Sequence, residues 1–155
     1  FEGFMMEFEI RPLKKKDIEK VALLEAACFV KPWPLNQIAY EFKGNPCAKV
    51  FVAVDKEENI LGYLDFMITF DSATIDRICV AEEYRNQGIA GKLLEKMVEV
   101  CKSQKDKVEF ITLEVRLSNQ KAISLYEKNG WQRVVIKPKY YDDGEDAIYM
   151  IRSLI

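Results

Sequence analysis

Three segments of this chain carry residue types whose spacing suits chemistry. The first is Arg85-Asn86-Gln87-Gly88-Ile89-Ala90, which follows a β-type run and opens a helical pattern. Glycine at 88 leaves room for close backbone approach, and small Ala90 lets the helix start pack tightly. Free N–H groups at a helix N-terminus, with the dipole behind them, hold an anion such as a pyrophosphate. Taken alone, a glycine near a helix start is equally an ordinary turn. The segment matches neither G-x-x-x-x-G-K-[ST] nor G-x-G-x-x-G, which argues against a triphosphatase loop and a dinucleotide fold. The second is Glu114, which interrupts the apolar run Phe110-Ile111-Thr112-Leu113-Glu114-Val115. Strand alternation puts it on the face of Phe110 and Thr112, opposite Leu113 and Val115. A charge there is costly unless it is solvated, paired or used. The third is Tyr126, seven residues after Asn119 on a predicted helix, so two turns along one face. The chain has no histidine. That excludes a Ser-His-Asp triad, a Cys-His dyad and an HExxH zinc site. Proton transfers in this protein fall to Asp, Glu, Lys, Tyr, Cys or water.

The elements that must position these residues can be read from periodicity. Glu7–Arg11 reads as a strand ended by Pro12. Ile18, Val21, Ala22, Leu24 and Cys28 recur at helical spacing, predicting a helix over 15–29. Lys31-Pro32-Trp33-Pro34 breaks it, and a short helix over 35–43 follows. Val50–Val54, Ile60–Phe70 and Ala73–Val80 read as strands, the first two joined by the polar turn Asp55–Asn59. A helix from Gly88 to Ser103 carries Ile89, Leu93, Leu94, Met97, Val100 and Cys101 on one face. Phe110–Val115 is a strand. Ser118 is placed to cap a helix that stops at Asn129-Gly130. Trp131–Ile136 and Ala147–Leu154 close the order around a polar loop, Tyr140–Asp146. The order β-α-α-β-β-β-α-β-α-β-β makes a mixed α/β sheet with helices on both faces.

Composition sets the frame. At 155 residues, 49% hydrophobic, the chain reads as one domain able to bury a core without disulfides or metal. A net charge of −2 argues against general nucleic-acid binding. The cysteines at 28, 47, 79 and 101 have no C-x-x-C spacing and sit in apolar stretches, which suits core packing in a reducing compartment. No apolar run approaches the ~20 residues that span a bilayer. Phe1–Met6 lacks the basic and long apolar regions of a signal peptide. Met5 and Met6 are the natural candidates for a translation start, which would set residues 1–5 outside the domain.

Asp76-Arg77-Ile78-Cys79-Val80, a short spacer, then Arg85-x-x-Gly88-x-Ala90 resembles the GCN5-related N-acetyltransferase family, whose acetyl-CoA signature is Q/R-x-x-G-x-G/A. The resemblance continues through Leu113-Glu114-Val115-Arg116-Leu117-Ser118-Asn119, Ala122-Ile123, Leu125-Tyr126-Glu127 and Gly130-Trp131, and ends in Tyr140-Tyr141 and Gly144-Glu145-Asp146-Ala147. That run looks like the RimI branch, the ribosomal-protein alanine N-acetyltransferases. Two departures are visible: Ala90 where many relatives have Gly, and Trp131 where Phe is frequent.

The resemblance implies a mostly antiparallel sheet of six to seven strands, acetyl-CoA as cosubstrate, no metal, and a protein N-terminus, such as that of a ribosomal protein, as acceptor in the cytoplasm. It implies that backbone groups of Ile78, Cys79 and Val80 face the acetyl and pantetheine arm. The amides of Asn86, Gln87, Gly88, Ile89, Ala90 and Gly91 would hold the pyrophosphate, with Arg85 in a minor electrostatic role and Asn119 touching CoA. An amine must lose a proton before it attacks a thioester, and Glu114 is the candidate base. The alternative is a carboxylate paired with Arg77 or Arg116. Tyr126 is the candidate acid for the departing thiolate, and otherwise a core residue with its hydroxyl on a backbone carbonyl. Trp33, Tyr140 and Tyr141 are candidate acceptor-binding residues, and otherwise packing. The acidic residues Asp142, Asp143, Glu145 and Asp146 form a solvated loop or attract a basic peptide. A relative acting on a small amine or lysine, and an acyl-CoA-binding module without turnover, remain as other readings.

Overall fold

The computed structural model describes residues 6–155, so the expected start region 1–5 lies outside the described residues. Seven strands form one sheet: β1 (Glu9–Pro12), β2 (Ala48–Val54), β3 (Ile60–Thr69), β4 (Ser72–Val80), β5 (Phe110–Arg116), β6 (Gln132–Lys137) and β7 (Ala147–Ser153). They hydrogen-bond in the order β1-β2-β3-β4-β5-β7-β6. The pairs β1–β2, β2–β3, β5–β7 and β6–β7 are antiparallel, and β4–β5 is parallel. Four α-helices accompany them: α1 (Ile18–Cys28), α2 (Leu35–Ala39, continued by a π turn to Gly44), α3 (Ile89–Lys102) and α4 (Gln120–Lys128). The element order and type match the expectation. Boundaries shift by a residue or two: Glu7, Phe8, Trp131 and Leu154 fall outside the observed strands, and Phe70 leaves its predicted strand for the β3–β4 turn, at φ 54°.

The described residues cluster into two compact units, one made of residues up to Met67 together with Asp76–Glu99, the other of Ile68–Ile75 with Val100–Ile155. In the first, Val21 and Leu24 of α1 and Ile38 of α2 pack with Leu13, Val52, Val54, Tyr63 and Ala81. Ile89, Leu93, Leu94 and Met97 bury the apolar stripe of α3 that their spacing predicts. Each such side chain contributes about 1.5–3 kcal/mol on burial. In the second unit, β5 alternates strictly: Ile111, Leu113 and Val115 are buried, while Phe110, Thr112, Glu114 and Arg116 share the other face. Trp131 is fully buried, and its indole N–H donates to the Ile111 carbonyl at 3.1 Å. The substitution of Trp for Phe is therefore absorbed by packing plus one satisfied donor. Gly130, at φ 102°, ends α4 where a Cβ would be strained.

Candidate active site

The turn before α3 has the backbone that an anion cradle needs. Asn86 and Gly88 both have positive φ, 64° and 81°. Residues of left-handed conformation alternating with right-handed ones turn successive amides to one side, the arrangement of a nest. The first helical bond is Lys92 N–H to the Gly88 carbonyl, so the amides of residues 89–91 have no acceptor within the helix. A Cβ at Gly88 would meet nothing within 4 Å. The glycine is favoured by its φ and not by a neighbour in the fold. Arg85 is exposed, and its Nε–H donates to the Val80 carbonyl at 3.0 Å. Ile78, Cys79 and Val80 lie beyond the stretch of β4, Ser72–Thr74, that pairs with β5.

In the same unit, a buried network that the sequence reading missed fixes the Phe29–Trp33 segment. Glu25 is fully buried in α1. It accepts from the Tyr63 hydroxyl and from the Trp33 N–H at 2.8 Å, and pairs with Arg77 at 3.1 Å. Arg77 also donates to the Lys31 carbonyl at 3.0 Å and lies over the Phe29 and Trp33 rings at 4.2 and 4.8 Å. Trp33 is thus half-buried packing for Arg77, held by its own backbone. Burial, with Glu25 beside it, raises the Tyr63 phenol far above its ordinary range. Nearby, Cys28 sits within reach of Cys79, and hydrogen bonding between them with Arg85 adjacent brings the Cys28 thiol down to about 7. All four cysteines are free thiols. A second acidic group, Asp65 of β3, is 1% exposed, and burial beside Glu41 pushes it up to about 9. Glu25 and Asp65 each interrupt an apolar face, the same signal that singled out Glu114.

In the other unit, Glu114 points from β5 with 19% exposure and is paired with Lys137 Nζ at 2.6 Å. Its partner is neither of the arginines considered: Arg77 binds Glu25, and Arg116 binds Asp143 and Glu145, both at 2.9 Å. Lys137 comes from β6, two strands away, because β7 lies between β5 and β6. Tyr126 is buried edge-on against Trp131 at 6.0 Å between centroids. Among the described residues its hydroxyl has no hydrogen-bond partner, so the expected backbone carbonyl is not there. Burial raises its pKa, with Tyr141 a smaller cause. It therefore stays protonated at neutral pH. Asn119, not Ser118, caps α4: its Oδ1 accepts from the Ala122 N–H at 3.2 Å. Ser118 instead donates its N–H to Glu145 at 2.8 Å. Tyr140 and Tyr141 meet edge-on at 5.0 Å, and Arg116 lies 4.1 Å over the Tyr141 ring. Burial pushes the Tyr141 phenol up to about 12. Part of the acidic loop is engaged within the protein. Arg116 and the Ser118 N–H engage Asp143 and Glu145, and Asp146 accepts from the Lys139 N–H at 2.9 Å.

Comparison with known proteins bears on what these residues serve. The model of the Acetyltransferase (GNAT) family matches residues 18–131. A Bacillus subtilis protein provisionally named a ribosomal protein bS18-alanine N-acetyltransferase is 37% identical over 91% of this chain and 92% of its own length. An N-alpha-acetyltransferase of Saccharolobus solfataricus is 32% identical over 96% of this chain and 94% of its own. The crystal structure of the Escherichia coli ribosomal-protein-S18-alanine N-acetyltransferase superposes with a TM-score of 0.84 at 28% identity, covering 96% of this chain and 94% of that one. A family match over more than half of the chain, on a sheet of the expected kind, places the protein in the GNAT acetyltransferase family, as an acetyl-CoA-dependent N-acetyltransferase.

Proposed function

We propose that the protein transfers the acetyl group of acetyl-CoA to the α-amine of a protein N-terminus, with an N-terminal alanine of a ribosomal protein as the leading acceptor. The observation that carries the acceptor class is the near full-length similarity to two relatives named for α-amine or alanine acetylation. Such an acceptor sets the reaction in the cytoplasm. Among the described residues no helix is long and apolar enough to cross a membrane.

In this reading the amides of Asn86 through Gly91 hold the CoA pyrophosphate. Arg85 adds positive charge, and Asn119 contacts CoA through the side-chain amide left over from capping. Backbone groups of Ile78, Cys79 and Val80 take the acetyl and pantetheine arm, as a strand edge takes an amide-bearing chain. Trp33, Tyr140 and Tyr141 border the acceptor peptide. Glu114 accepts a proton from the acceptor ammonium. The freed nitrogen lone pair attacks the thioester carbonyl carbon and the C–S bond breaks. The electron pair leaves on sulfur, which takes a proton from the Tyr126 hydroxyl, and the nitrogen, cationic after attack, gives up its second proton, which restores the phenol through water. The raised pKa of Tyr126 keeps that proton available at neutral pH. The nearby sulfur would give its unpartnered hydroxyl the hydrogen bond it lacks.

The test is a panel of amines with acetyl-CoA, following thiol release: a peptide beginning with alanine, free lysine and a polyamine. The peptide should have the highest kcat/KM. A higher value for lysine or the polyamine would transfer the protein to the small-amine readings. Binding of CoA with no thiol release from any amine would make it a binding module.

A further inference from the structure

We propose that Lys137 is an internal stand-in for the acceptor ammonium: it occupies Glu114 in the free enzyme and is exchanged for the incoming amine. This rests on the reading of Glu114 as the base. The geometry carries it. Lys137 ends the edge strand β6, opposite Ala147, and Glu114 lies opposite Tyr149 on the far side of β7. Neighbouring strands are ~4.8 Å apart, so the lysine must reach across a whole strand. It does so over the Tyr149 ring, with Nζ 4.5 Å from the centroid, and stands 5.6 Å from the Tyr140 ring. Its ammonium ends 2.6 Å from Glu114 Oε2. An ammonium at this spot meets a carboxylate and two aromatic rings, partners that suit any primary ammonium. Here the chain supplies one.

Fold stability gives little reason for this reach. Lys137 is 39% exposed, and pairs of that kind are weak while immobilising a long side chain. The same weakness makes exchange easy. The lysine can retract to water when a second ammonium arrives, and the charge next to Glu114 is unchanged by the swap. After transfer the product is a neutral amide, which cannot hold a carboxylate as an ammonium does. Lys137 then returns and favours release. The other charged groups on this face are committed elsewhere: Arg116 to Asp143, Glu145 and the Tyr141 ring.

Lys137→Met keeps the stem and removes the charge, and Lys137→Arg keeps the charge. With a peptide acceptor, Lys137→Met should lower KM by up to about five-fold, the worth of an exposed ion pair. Lys137→Arg should keep the wild-type KM. A purely structural lysine would not compete with the acceptor, so an unchanged or higher KM in Lys137→Met overturns the proposal. Glu114→Gln separates the two layers. Full activity at neutral pH in that variant refutes the base reading itself. A large loss there, with no fall of KM in Lys137→Met, refutes the stand-in alone.

Discussion

Replacing Glu114 by glutamine separates its proposed chemical role from its structural one. Glutamine has the same shape and still hydrogen-bonds, but it does not accept the amine proton. The structural loss is the Lys137 pair. Because Lys137 is 39% exposed, that loss is worth at most about 1 kcal/mol. In a chain of this length it would lower Tm by no more than about 2–4 °C. No apolar volume is removed, and Glu114 keeps its place in the β5–β7 ladder opposite Tyr149. The chemical loss is of another size. General acid–base catalysis contributes about 10²–10⁴-fold, or roughly 3–5 kcal/mol of barrier. The expected result is a kcat lower by about that factor at neutral pH with an unaltered acetyl-CoA affinity. A free α-amine has a pKa near ~7.7–8.0, so the defect should shrink at alkaline pH, where the amine deprotonates unaided. The assay is thiol release from acetyl-CoA at saturating peptide across that range, with a thermal melt of the same sample. A wild-type kcat at neutral pH would refute the reasoning. Glu114 would then be a strand carboxylate neutralised by Lys137, with solvent taking the proton.

Tyr126→Phe should lower kcat at every pH, because its proton goes to sulfur rather than coming from the amine. It should leave Tm equal or higher, since the hydroxyl has no protein partner to lose, and rate and melt together check it. Gly88→Glu should abolish CoA binding by calorimetry in a protein whose melt shows it folded: the φ of 81° strains any side chain there, and a carboxylate repels phosphates. Unchanged affinity would remove the phosphate role of this turn. Asp65→Asn should raise Tm at neutral and mildly alkaline pH. The raised pKa of about 9 means the folded state keeps a proton that the unfolded state, ionising near ~4, releases. That stabilisation is full below the unfolded value and is lost as pH rises towards about 9, so the gain from asparagine should fade in acid. A gain that persists below the ordinary carboxyl range would refute the assignment.

Local patterns made much of this legible. The alternation around Glu114, the apolar stripe of α3 and the turn that leads from Arg85 into a helix each depend on residues near one another in the chain, and each of these local structures stands as expected. The partner of Glu114 did not follow from local pattern. It depends on β7 inserting between β5 and β6, which chain order does not reveal, and so the nearer arginines were considered instead of Lys137. The cap of α4 moved by one residue because the Ser118 amide is drawn to Glu145, leaving Asn119 to meet the helix. The acidic loop looked solvated by composition, yet Arg116 and two backbone amides engage three of its carboxylates. Glu25 and Asp65 could have been found, since each is a charge on a face that is otherwise apolar.

The most direct test of the account is the position of the acetyl group on one peptide that offers both amines. A peptide beginning with alanine and carrying an internal lysine, incubated with the protein and acetyl-CoA, can be read by fragment mass spectrometry. The account predicts acetyl on the α-amine and an unmodified lysine, with Glu114→Gln slowing its appearance at neutral pH. Acetyl on the lysine, or on neither amine while CoA binds, would contradict it.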